Sequence, residues 1–552
     1  MEELFTIITG RVHEFVFKHD AVRVIQCAVK YANPAQRKQI ATELQGHYRD
    51  LAESRYAKFL IAKLVVGDDE IRDMVIPEFY GHVKRLIRLP EASWILDDIY
   101  RGIATKEQKA RLLREWYGTE FVLFRDDTKQ SGEAEADLGK ILEAHPEKRG
   151  PIMKHLKEMT NQLVQKKTTG FTMLHDALLQ YFLNCRPGSP EATEFLEMLR
   201  DDEEGDCFKN LAFTKSGARL VCLALAYGSS KDRRTILKFF KTHMKLLAGD
   251  LNGHLVLLAA YEVVDDTVMS SKAIFTELLN KDLSKEEREQ DLLGQVEHLT
   301  ARIPLLWLLS PEPPKWLVTA EDSNIVDEVR KIRTETSKKD PEVRRVELVK
   351  ALSQPLLDLV AAQTQPLIQS SYGCQFVAEV LIGGVGEKQA ALESLCTTAT
   401  DLSEEIRPVL DTAHVGRMLK TLSQGGRFDK ETKSIKPIDP PLKFGDLLYE
   451  RITTEDGTAI VDWASGPNSF VVLSMLEALD FAHKEQLLKQ LNKGQKKLKD
   501  NQGSNAGSRI ILQKIGASTE VEEKPKTEKK PKNESKEKRS KDQSKDKTNK
   551  SR

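Results

Sequence analysis

The sequence predicts an all-α protein, an α-solenoid of about eleven helical repeats, on the strength of three observations. The chain has 552 residues, about three times the length of a typical single-core domain. A nine-residue pattern recurs along most of it, with a small residue at the fourth position and apolar residues at the seventh and eighth. Signals for β-strands are almost absent. In an α-solenoid each helical unit buries its apolar side only against its neighbours.

The copies of the pattern are regularly spaced. Several neighbours lie 35 to 47 residues apart, and the larger gaps correspond to two or three such spacings, with degenerate copies around Thr119 and Arg417. The clear copies are KHDAVRVIQ from Lys18, SRYAKFLIA from Ser54, RLPEASWIL before Asp97, KTTGFTMLH from Lys167, TKSGARLVC from Thr214, DLNGHLVLL from Asp250, SSYGCQFVA from Ser370, SGPNSFVVL from Ser465 and SNAGSRIIL from Ser504.

Helical geometry gives each copy two faces, because successive residues are rotated by about 100°. One face is predicted to pack against the neighbouring units and the other to be presented to solvent. The outward sets are Val22, Arg23 and Gln26 in the first copy and Lys58, Phe59 and Ala62 in the second; the inward sets are Ala21, Val24, Ile25 and Ala28, and Ala57, Leu60, Ile61 and Leu64.

A second kind of helix is predicted between the copies, most clearly over residues 33–52. Pro34 suits a first helical turn, Ile40 and Leu44 form an apolar pair at i,i+4, and Gly46 can end the helix. Each unit is therefore predicted to be a helix pair.

Three polar or proline-rich segments interrupt the repeats, at residues 126–137, 310–315 and 428–441. They predict lobes separated by linkers. The predicted organisation is an N-terminal lobe over residues 1–125, a C-terminal lobe over 126–515 and a disordered lysine-rich tail over 516–552.

The composition of the chain limits the classes of protein to which it can belong. Lys and Arg number 84, as do Asp and Glu, so overall charge does not point to nucleic acid. Residues 521–552 carry 13 basic and 7 acidic residues and no aromatic residue, which is typical of a solvated tail. The six cysteines include no Cys-x-x-Cys pair, which favours a reducing compartment. Without a signal peptide or a long apolar run, a soluble intracellular protein is expected.

Catalytic and metal-binding motifs are absent: the sequence has no P-loop, HExxH or GxSxG. His175 followed by Asp176 superficially suggests half of a catalytic arrangement, but spacing assigns no nucleophile to it, so a core or capping histidine is favoured. No enzyme activity, cofactor, metal, membrane contact or small-molecule substrate is predicted.

The residues from Phe15 to Val65 resemble tandem Pumilio (Puf) repeats. The weaker units LPEASWILDDI, from Leu89 to Ile99, and VGRMLKTLSQGG, from Val415 to Gly426, are similar to the nucleolar Puf-A branch of that family. The resemblance covers residues 11–515.

That resemblance implies a superhelix of about eleven repeats, bent into two lobes, with a region called CPL in its C-terminal half. It implies a nuclear, nucleolar protein that binds RNA or DNA with little sequence preference. The implied role is pre-rRNA processing and large ribosomal subunit assembly, with ribosome assembly proteins as partners. Relatives in the branch carry a lysine-rich extension before the first repeat, whereas this chain begins almost inside that repeat. Two explanations stay open: either the sequence is truncated, or the C-terminal tail has taken over nucleolar targeting. The alternatives for the tail are a solubilising extension and a nonspecific phosphate contact.

Base-reading Puf repeats use the first and fifth helix positions for base edges and the second for stacking. Here Gln stands at the fifth position once, and the Asn/Gln and Ser/Glu combinations never occur, so no one-base-per-repeat code is expected. The triplets are Val22/Arg23/Gln26, Lys58/Phe59/Ala62, Ser93/Trp94/Asp97, Phe171/Thr172/His175, Ala218/Arg219/Cys222, His254/Leu255/Leu258, Cys374/Gln375/Ala378, Ser469/Phe470/Leu473 and Ser508/Arg509/Leu512.

The predicted nucleic-acid-binding residues are cationic, aromatic or amide side chains at equivalent positions. Stacking contributes about 1–3 kcal/mol per base whatever the base, and each phosphate contact adds salt-dependent affinity. For each cation the alternative is an ordinary surface residue, and for the two rings it is packing against the next repeat. The predicted set is Lys18, Arg23, Gln26, Arg55, Lys58, Phe59, Trp94, Lys167, Lys215 and Arg219.

Three functions stay open. The favoured one is a non-catalytic RNA-binding solenoid in nucleolar pre-rRNA processing. The second is a sequence-selective mRNA-binding translational regulator, which Arg23 and Gln26 favour. The third is a scaffold that binds only proteins, which the net neutrality of the chain favours.

Overall fold

The computed structural model describes residues 2–123, 135–201, 203–280, 282–401, 403–429, 432–453 and 458–520. The chain divides into two compact units, residues 1–451 and 452–552. Within the described ranges both units are built from α-helices, with one two-stranded sheet in the first, which confirms the predicted all-α solenoid. No helix in these ranges combines the length and hydropathy needed to cross a membrane.

The first three repeats each contain three helices, whereas a pair was predicted. In the second repeat the side chain of Asn33 accepts a hydrogen bond from the Gln36 N–H, and Pro34 occupies the first turn as predicted. Gly46 has a φ of +89°, which glycine adopts without strain, and a short further helix follows it. The helices are α1 (Glu2–Ile8), α2 (Val12–Val16), α3 (Ala21–Tyr31), α4 (Pro34–Glu43), α5 (Tyr48–Glu53), α6 (Lys58–Val65), α7 (Asp69–Val75), α8 (Val83–Leu86) and α9 (Ala92–Gly102).

Repeats of the same kind continue through the first unit. Many of their helices begin at a serine, threonine or aspartate whose side chain accepts a hydrogen bond from the first turn. The helices are α10 (Lys106–Arg114), α11 (Thr119–Leu123), α12 (Leu138–Ala144), α13 (Arg149–Gln165), α14 (Thr172–Leu183), α15 (Pro190–Arg200), α16 (Asp206–Ala212), α17 (Lys215–Tyr227), α18 (Ser230–Phe239), α19 (Met244–Gly249), α20 (His254–Val263), α21 (Thr267–Leu278), α22 (Lys285–Glu297) and α23 (Arg302–Leu306). Short 3-10 helices span Ile76–Phe79, Glu115–Tyr117, Pro146–Lys148 and Trp307–Leu309.

The predicted proline break at 310–315 lies between the last of these 3-10 helices and two long helices. The predicted linker over 428–441 contains part of an antiparallel hairpin, which the sequence reasoning did not anticipate. Its strands are β1 (Gly426–Asp429) and β2 (Ser434–Pro437), paired from Gly426 opposite Pro437. The helices of this region are α24 (Ala320–Thr336), α25 (Pro341–Ala362), α26 (Thr364–Ile368), α27 (Ser371–Gly383), α28 (Gln389–Ala399), α29 (Arg407–Leu410), α30 (Ala413–Ser423) and α31 (Phe444–Ile452).

The last described helix of the second unit runs to Glu520. Residues 516–520 are therefore helical, although the predicted disordered tail begins at 516. The rest of that tail, and residues 126–134 of the predicted polar loop, lie outside the described residues. The helices are α32 (Thr458–Ser465), α33 (Ser469–Glu477), α34 (Lys484–Lys493), α35 (Gln495–Asn501) and α36 (Ala506–Glu520).

The division at residue 451 differs from the lobe boundary predicted at 125. Helices α9 and α14 contact each other across that predicted boundary. The buried Asp97 carboxylate accepts a hydrogen bond from the Met173 N–H at 3.0 Å, and the Tyr100 hydroxyl donates to Asp176 at 2.5 Å. These bonds make the residues on both sides of 125 parts of one compact unit.

The small residue of the nine-residue pattern has a packing reason. A Cβ atom added to Gly217, at the start of α17, would lie 2.2 Å from the Leu211 carbonyl oxygen. One added to Gly373, in α27, would lie 1.8 Å from the Leu367 carbonyl oxygen. The pattern helix and the short helix before it approach so closely here that only glycine fits.

Glutamates connect consecutive repeats. The Glu78 carboxylate accepts hydrogen bonds from the N–H groups of Gly46 at 2.6 Å and Tyr48 at 2.8 Å. Because the N–H groups at a helix start have no partner within the helix, a carboxylate from the next repeat both caps the helix and joins the repeats. Equivalent bonds join Glu43 to Gly10 and Val12, Glu115 to Gly81 and Val83, and Glu277 to Met244.

Candidate nucleic-acid interface

The helices that carry the pattern lie side by side. In order, α3, α6, α9, α14, α17 and α20 each contact the next. Equivalent positions of successive copies therefore lie on neighbouring helices, as a solenoid requires.

The first position of the copies is mostly buried, which corrects the predicted outward placement of Val22. Val22 is 1% exposed, whereas Val24, predicted to pack inward, is 40% exposed. The buried stripe of α3 contains Val22, Ile25 and Val29, which have the i, i+3, i+7 spacing of one helix face. The other first-position residues that are buried are Ser93, Phe171, Ala218, His254, Cys374, Ser469 and Ser508, while Lys58 is half-buried.

The second position is exposed in the first three repeats. Arg23 is exposed and forms no ion pair within the described part of the chain. Phe59 and Trp94 are 52% and 55% exposed. We call Arg23, Phe59 and Trp94 the N-terminal row. The row offers one cation and two flat rings at equivalent positions of three neighbouring helices.

Trp94 also packs against the next repeat. Its ring meets the buried ring of Phe171 edge to face, with 4.9 Å between the ring centroids. The sequence left open whether Trp94 packs against the next repeat or is exposed to a ligand. In the structure it does both.

The fifth position connects repeats. The side-chain amide of Gln26 donates to the Tyr56 carbonyl oxygen at 3.2 Å, although Gln26 was predicted to be available to a base. The equivalent Asp97 accepts from Met173, and burial raises the pKa of its carboxyl group. Asp97 is therefore neither solvated nor open to a protein partner. The residues that would distinguish bases are used to join neighbouring repeats.

His175, also at the fifth position, is a core histidine, as predicted. Its Nε2 donates to the Thr169 carbonyl oxygen at 2.7 Å, and its Nδ1 lies 2.8 Å from the Thr214 hydroxyl. Burial lowers the pKa of His175 to about 4. The neighbouring Asp176 accepts from Tyr100, so the two side chains form no catalytic pair.

Predicted cations flank the N-terminal row. Lys18 and Arg55 are exposed, in the turns before α3 and α6. The Arg55 guanidinium lies 5.5 Å from the centre of the Tyr56 ring, and the Lys58 ammonium lies 5.4 Å from that of Phe59. None of these three cations pairs with a carboxylate within the described ranges, so their charge can interact with a ligand.

Lys167 is exposed in the turn that follows α13, with a φ of +56°. Its N–H donates to the Val164 carbonyl oxygen at 2.9 Å, which closes the end of the helix. The side chain is thereby placed just before α14, the fourth pattern helix.

The last two predicted cations are paired. Both lie on α17, and their partners lie on α24, more than 100 residues later. Lys215 Nζ is 2.5 Å from a Glu321 carboxylate oxygen. The Arg219 guanidinium donates twice to Glu328, at 2.9 and 3.0 Å. The sequence reasoning missed these partners because the acidic residues lie beyond the proline break, outside any copy of the pattern.

Among the described residues, no group of three or more His, Cys, Asp or Glu side chains is arranged to hold a metal ion. The arrangement consists of exposed cations and rings, and it can bind phosphates and stack on bases.

Comparison with known proteins gives concordant results. Residues 298–433 match the family model of the CPL (NUC119) domain. The chain is 32% identical to the Schizosaccharomyces pombe protein "Pumilio homology domain family member 6" over 93% of this chain and 76% of that one. It is 29% identical to "Pumilio homolog 3" from Homo sapiens, over 93% and 75%.

Solved structures agree. The crystal structure of human Puf-A has a TM-score of 0.76 with this chain at 27% identity, covering 93% of this chain and 94% of that one. Human Puf-A in complex with DNA has a TM-score of 0.75 at 28% identity, with the same coverage.

Proposed function

Because the chain belongs to the Pumilio repeat family, in its Puf-A-like branch, we propose that it is a non-catalytic protein that binds RNA without reading its sequence. The observation that carries the proposal is the N-terminal row, in which Arg23, Phe59 and Trp94 are exposed at equivalent positions. Arginine binds phosphates and stacks on bases, and aromatic rings stack on any base.

The hydrogen bonds of the side chains at the fifth position support RNA binding without sequence preference. Gln26, Asp97 and His175 all form hydrogen bonds within or between repeats. A base edge placed on these helices would meet side chains whose donors and acceptors are already engaged, so the discrimination available from bidentate contacts is lost. Affinity then comes from stacking and phosphate contacts. The DNA complex of human Puf-A supports DNA as a further ligand.

The finer role that we propose is pre-rRNA processing and assembly of the large ribosomal subunit in the nucleolus, with ribosome assembly proteins as partners. Its support is membership of the Puf-A-like branch together with a surface suited to long RNA of varied sequence. Crosslinking with sequencing tests it: pre-rRNA reads are expected, and a footprint confined to messenger 3′ regions would instead indicate a translational regulator.

A protein-only scaffold is the second candidate, and the ion pairs between α17 and α24 favour it, because they neutralise two of the predicted nucleic-acid-binding cations, Lys215 and Arg219. Binding of RNA to the purified protein separates the two candidates.

The test of the proposal is filter binding with several unrelated single-stranded RNAs of equal length at one salt concentration. Affinities within about tenfold of one another are expected. A preference above about a hundredfold for one sequence would overturn the proposal, because discrimination of that size needs base-specific contacts.

A further inference from the structure

Helix α24 lies on the two pattern helices that follow α14. It contacts both α17 and α20. All ten residues of α20 are buried, including Leu255 at the second position. In the first three repeats the second position is exposed, as Phe59 and Trp94 show. The covering of α17 and α20 is therefore a local feature that the N-terminal row lacks.

The first half of α24, residues 320–329, is acidic. It carries Glu321, Asp322, Asp327 and Glu328 and no basic residue. We call it the acidic half-helix. Val326 and Val329 are buried, so this half is also attached by apolar contacts. Its carboxylates thus reach the cations of α17 from a helix that is already packed in place.

The carboxylates bind the cations of α17 as a phosphate can. Glu328 binds Arg219 through two N–H···O bonds, the same bidentate geometry that a phosphate offers to a guanidinium. Glu321 binds Lys215, and both of these side chains are more than half exposed.

The second half of α24 is held more firmly. The Glu262 carboxylate, 10% exposed, forms ion pairs with Arg330 and Arg333. The Thr336 hydroxyl donates to the Ala226 carbonyl oxygen at 2.7 Å. A change in the acidic half-helix therefore leaves the anchor of α24 in place.

We propose that the acidic half-helix is an internal occupant of the nucleic-acid face, taking the place of RNA phosphates at Lys215 and Arg219. This inference rests on the proposed function. It means that the RNA contact ends before α17, and that removing the two carboxylate charges extends it by two phosphates.

The test compares the salt dependence of binding of a single-stranded RNA long enough to span six repeats. In the variant Glu321→Gln/Glu328→Gln, Lys215 and Arg219 lose their partners. We expect affinity at low salt to rise about three- to tenfold, and the slope of log K against log salt to steepen by about 1.4, since each phosphate neutralised on a single strand contributes about 0.7.

A matched control distinguishes the effect of removing carboxylate charge anywhere on the protein from the effect of removing it at α17. Glu107→Gln/Glu194→Gln removes the same charge and frees Arg111 and Lys157, which lie on α10 and α13 rather than on a pattern helix. We expect its slope to equal that of the wild type. Adding Lys215→Gln and Arg219→Gln to the first variant is expected to return its slope to the wild-type value.

The outcomes are distinct. If the neutralised variant keeps the wild-type affinity and slope while Arg23→Glu loses binding, the internal-occupant proposal is wrong and the proposed function stands. If Arg23→Glu binds RNA as tightly as the wild type does, the N-terminal row does not bind RNA and the proposed function is wrong. Should the double variant not fold, Glu321→Gln alone serves, because its ion pair is exposed, with an expected steepening of about 0.7.

Discussion

The indole of Trp94 packs against the buried ring of Phe171 in a T-shaped arrangement, with 4.9 Å between the ring centroids, while 55% of Trp94 stays exposed. One ring thus joins two repeats and faces solvent. This contact restricts the rotation of the side chain, so a base that stacks on it meets a ring that is already oriented, which reduces the entropy lost on binding.

Removing the ring of Phe59 measures the contribution of base stacking to the affinity for RNA. Phe59→Ala is expected to weaken RNA binding by about 5- to 150-fold, because stacking contributes about 1–3 kcal/mol per base. The slope of log K against log salt should not change, since no phosphate contact is lost. Fluorescence anisotropy at three salt concentrations checks both parts.

Phe428→Ala is the matched control, because Phe428 is 58% exposed and lies on β1, which is not one of the helices α3, α6 and α9 that carry the N-terminal row. If it weakened binding as much as Phe59→Ala does, the assignment of stacking to the N-terminal row would be wrong.

Removing cations isolates the phosphate contacts. Arg23→Gln/Arg55→Gln is expected to lower the slope of log K against log salt by about 1.4, equally for unrelated RNA sequences, because two phosphates lose their partners. Arg101→Gln, on the same group of helices but paired with Asp98, is the control and should leave the slope unchanged. A slope change confined to one RNA sequence would contradict backbone recognition.

The glutamates between repeats are expected to support stability. Glu78→Ala leaves the N–H groups of Gly46 and Tyr48 without their carboxylate partner, and we expect the free energy of unfolding to fall by about 2 kcal/mol. Chemical denaturation measures it. Glu107→Ala removes an exposed i,i+4 pair with Arg111 and should cost much less. Equal losses would refute the cross-repeat role of Glu78.

Protonation of His175 is expected to destabilise the fold. Its pKa is about 4 in the folded protein and about 6.5 in an unfolded chain, so the unfolded chain binds the proton first as pH falls. Its contribution is complete above about pH 6.5, decreases as pH falls and levels off below about 4, with about 2 kcal/mol lost by pH 5.

The comparison of His175→Gln with His145→Gln checks this contribution. His145 has 53% of its side chain exposed and serves as the control. Unfolding free energies at pH 7 and pH 5 should differ less in His175→Gln than in the wild type, and His145→Gln should keep the wild-type difference. An unchanged pH dependence in His175→Gln would show that another group is responsible.

Local pattern was sufficient to predict the pattern helices and the exposure of Phe59 and Trp94, because the 100° rotation separates these two side chains from the apolar stripe. It did not predict the third helix of each of the first three repeats. It could not place Val22 and Val24. Both are valines, and the sequence pattern does not say which one faces the core. The choice depends on how α3 packs against its neighbours.

The partners of Lys215 and Arg219 could not be predicted from the local sequence pattern. Glu328 follows Arg219 by 109 residues and belongs to a helix outside the pattern. One signal was present, namely the apolar run from Leu255 to Ala260, since a helix that is apolar on every side is covered on every side. That run predicts a cover over α20 but does not identify α24 as the cover.

The most direct test of the account is ultraviolet crosslinking of the full chain to a single-stranded RNA, followed by mass spectrometry of the crosslinked peptides. We predict crosslinks at Phe59 and Trp94 with every RNA sequence used, and none on α17 in the wild-type protein. Crosslinks that avoid α3, α6 and α9 and fall elsewhere on the chain would contradict the claim that the N-terminal row binds RNA.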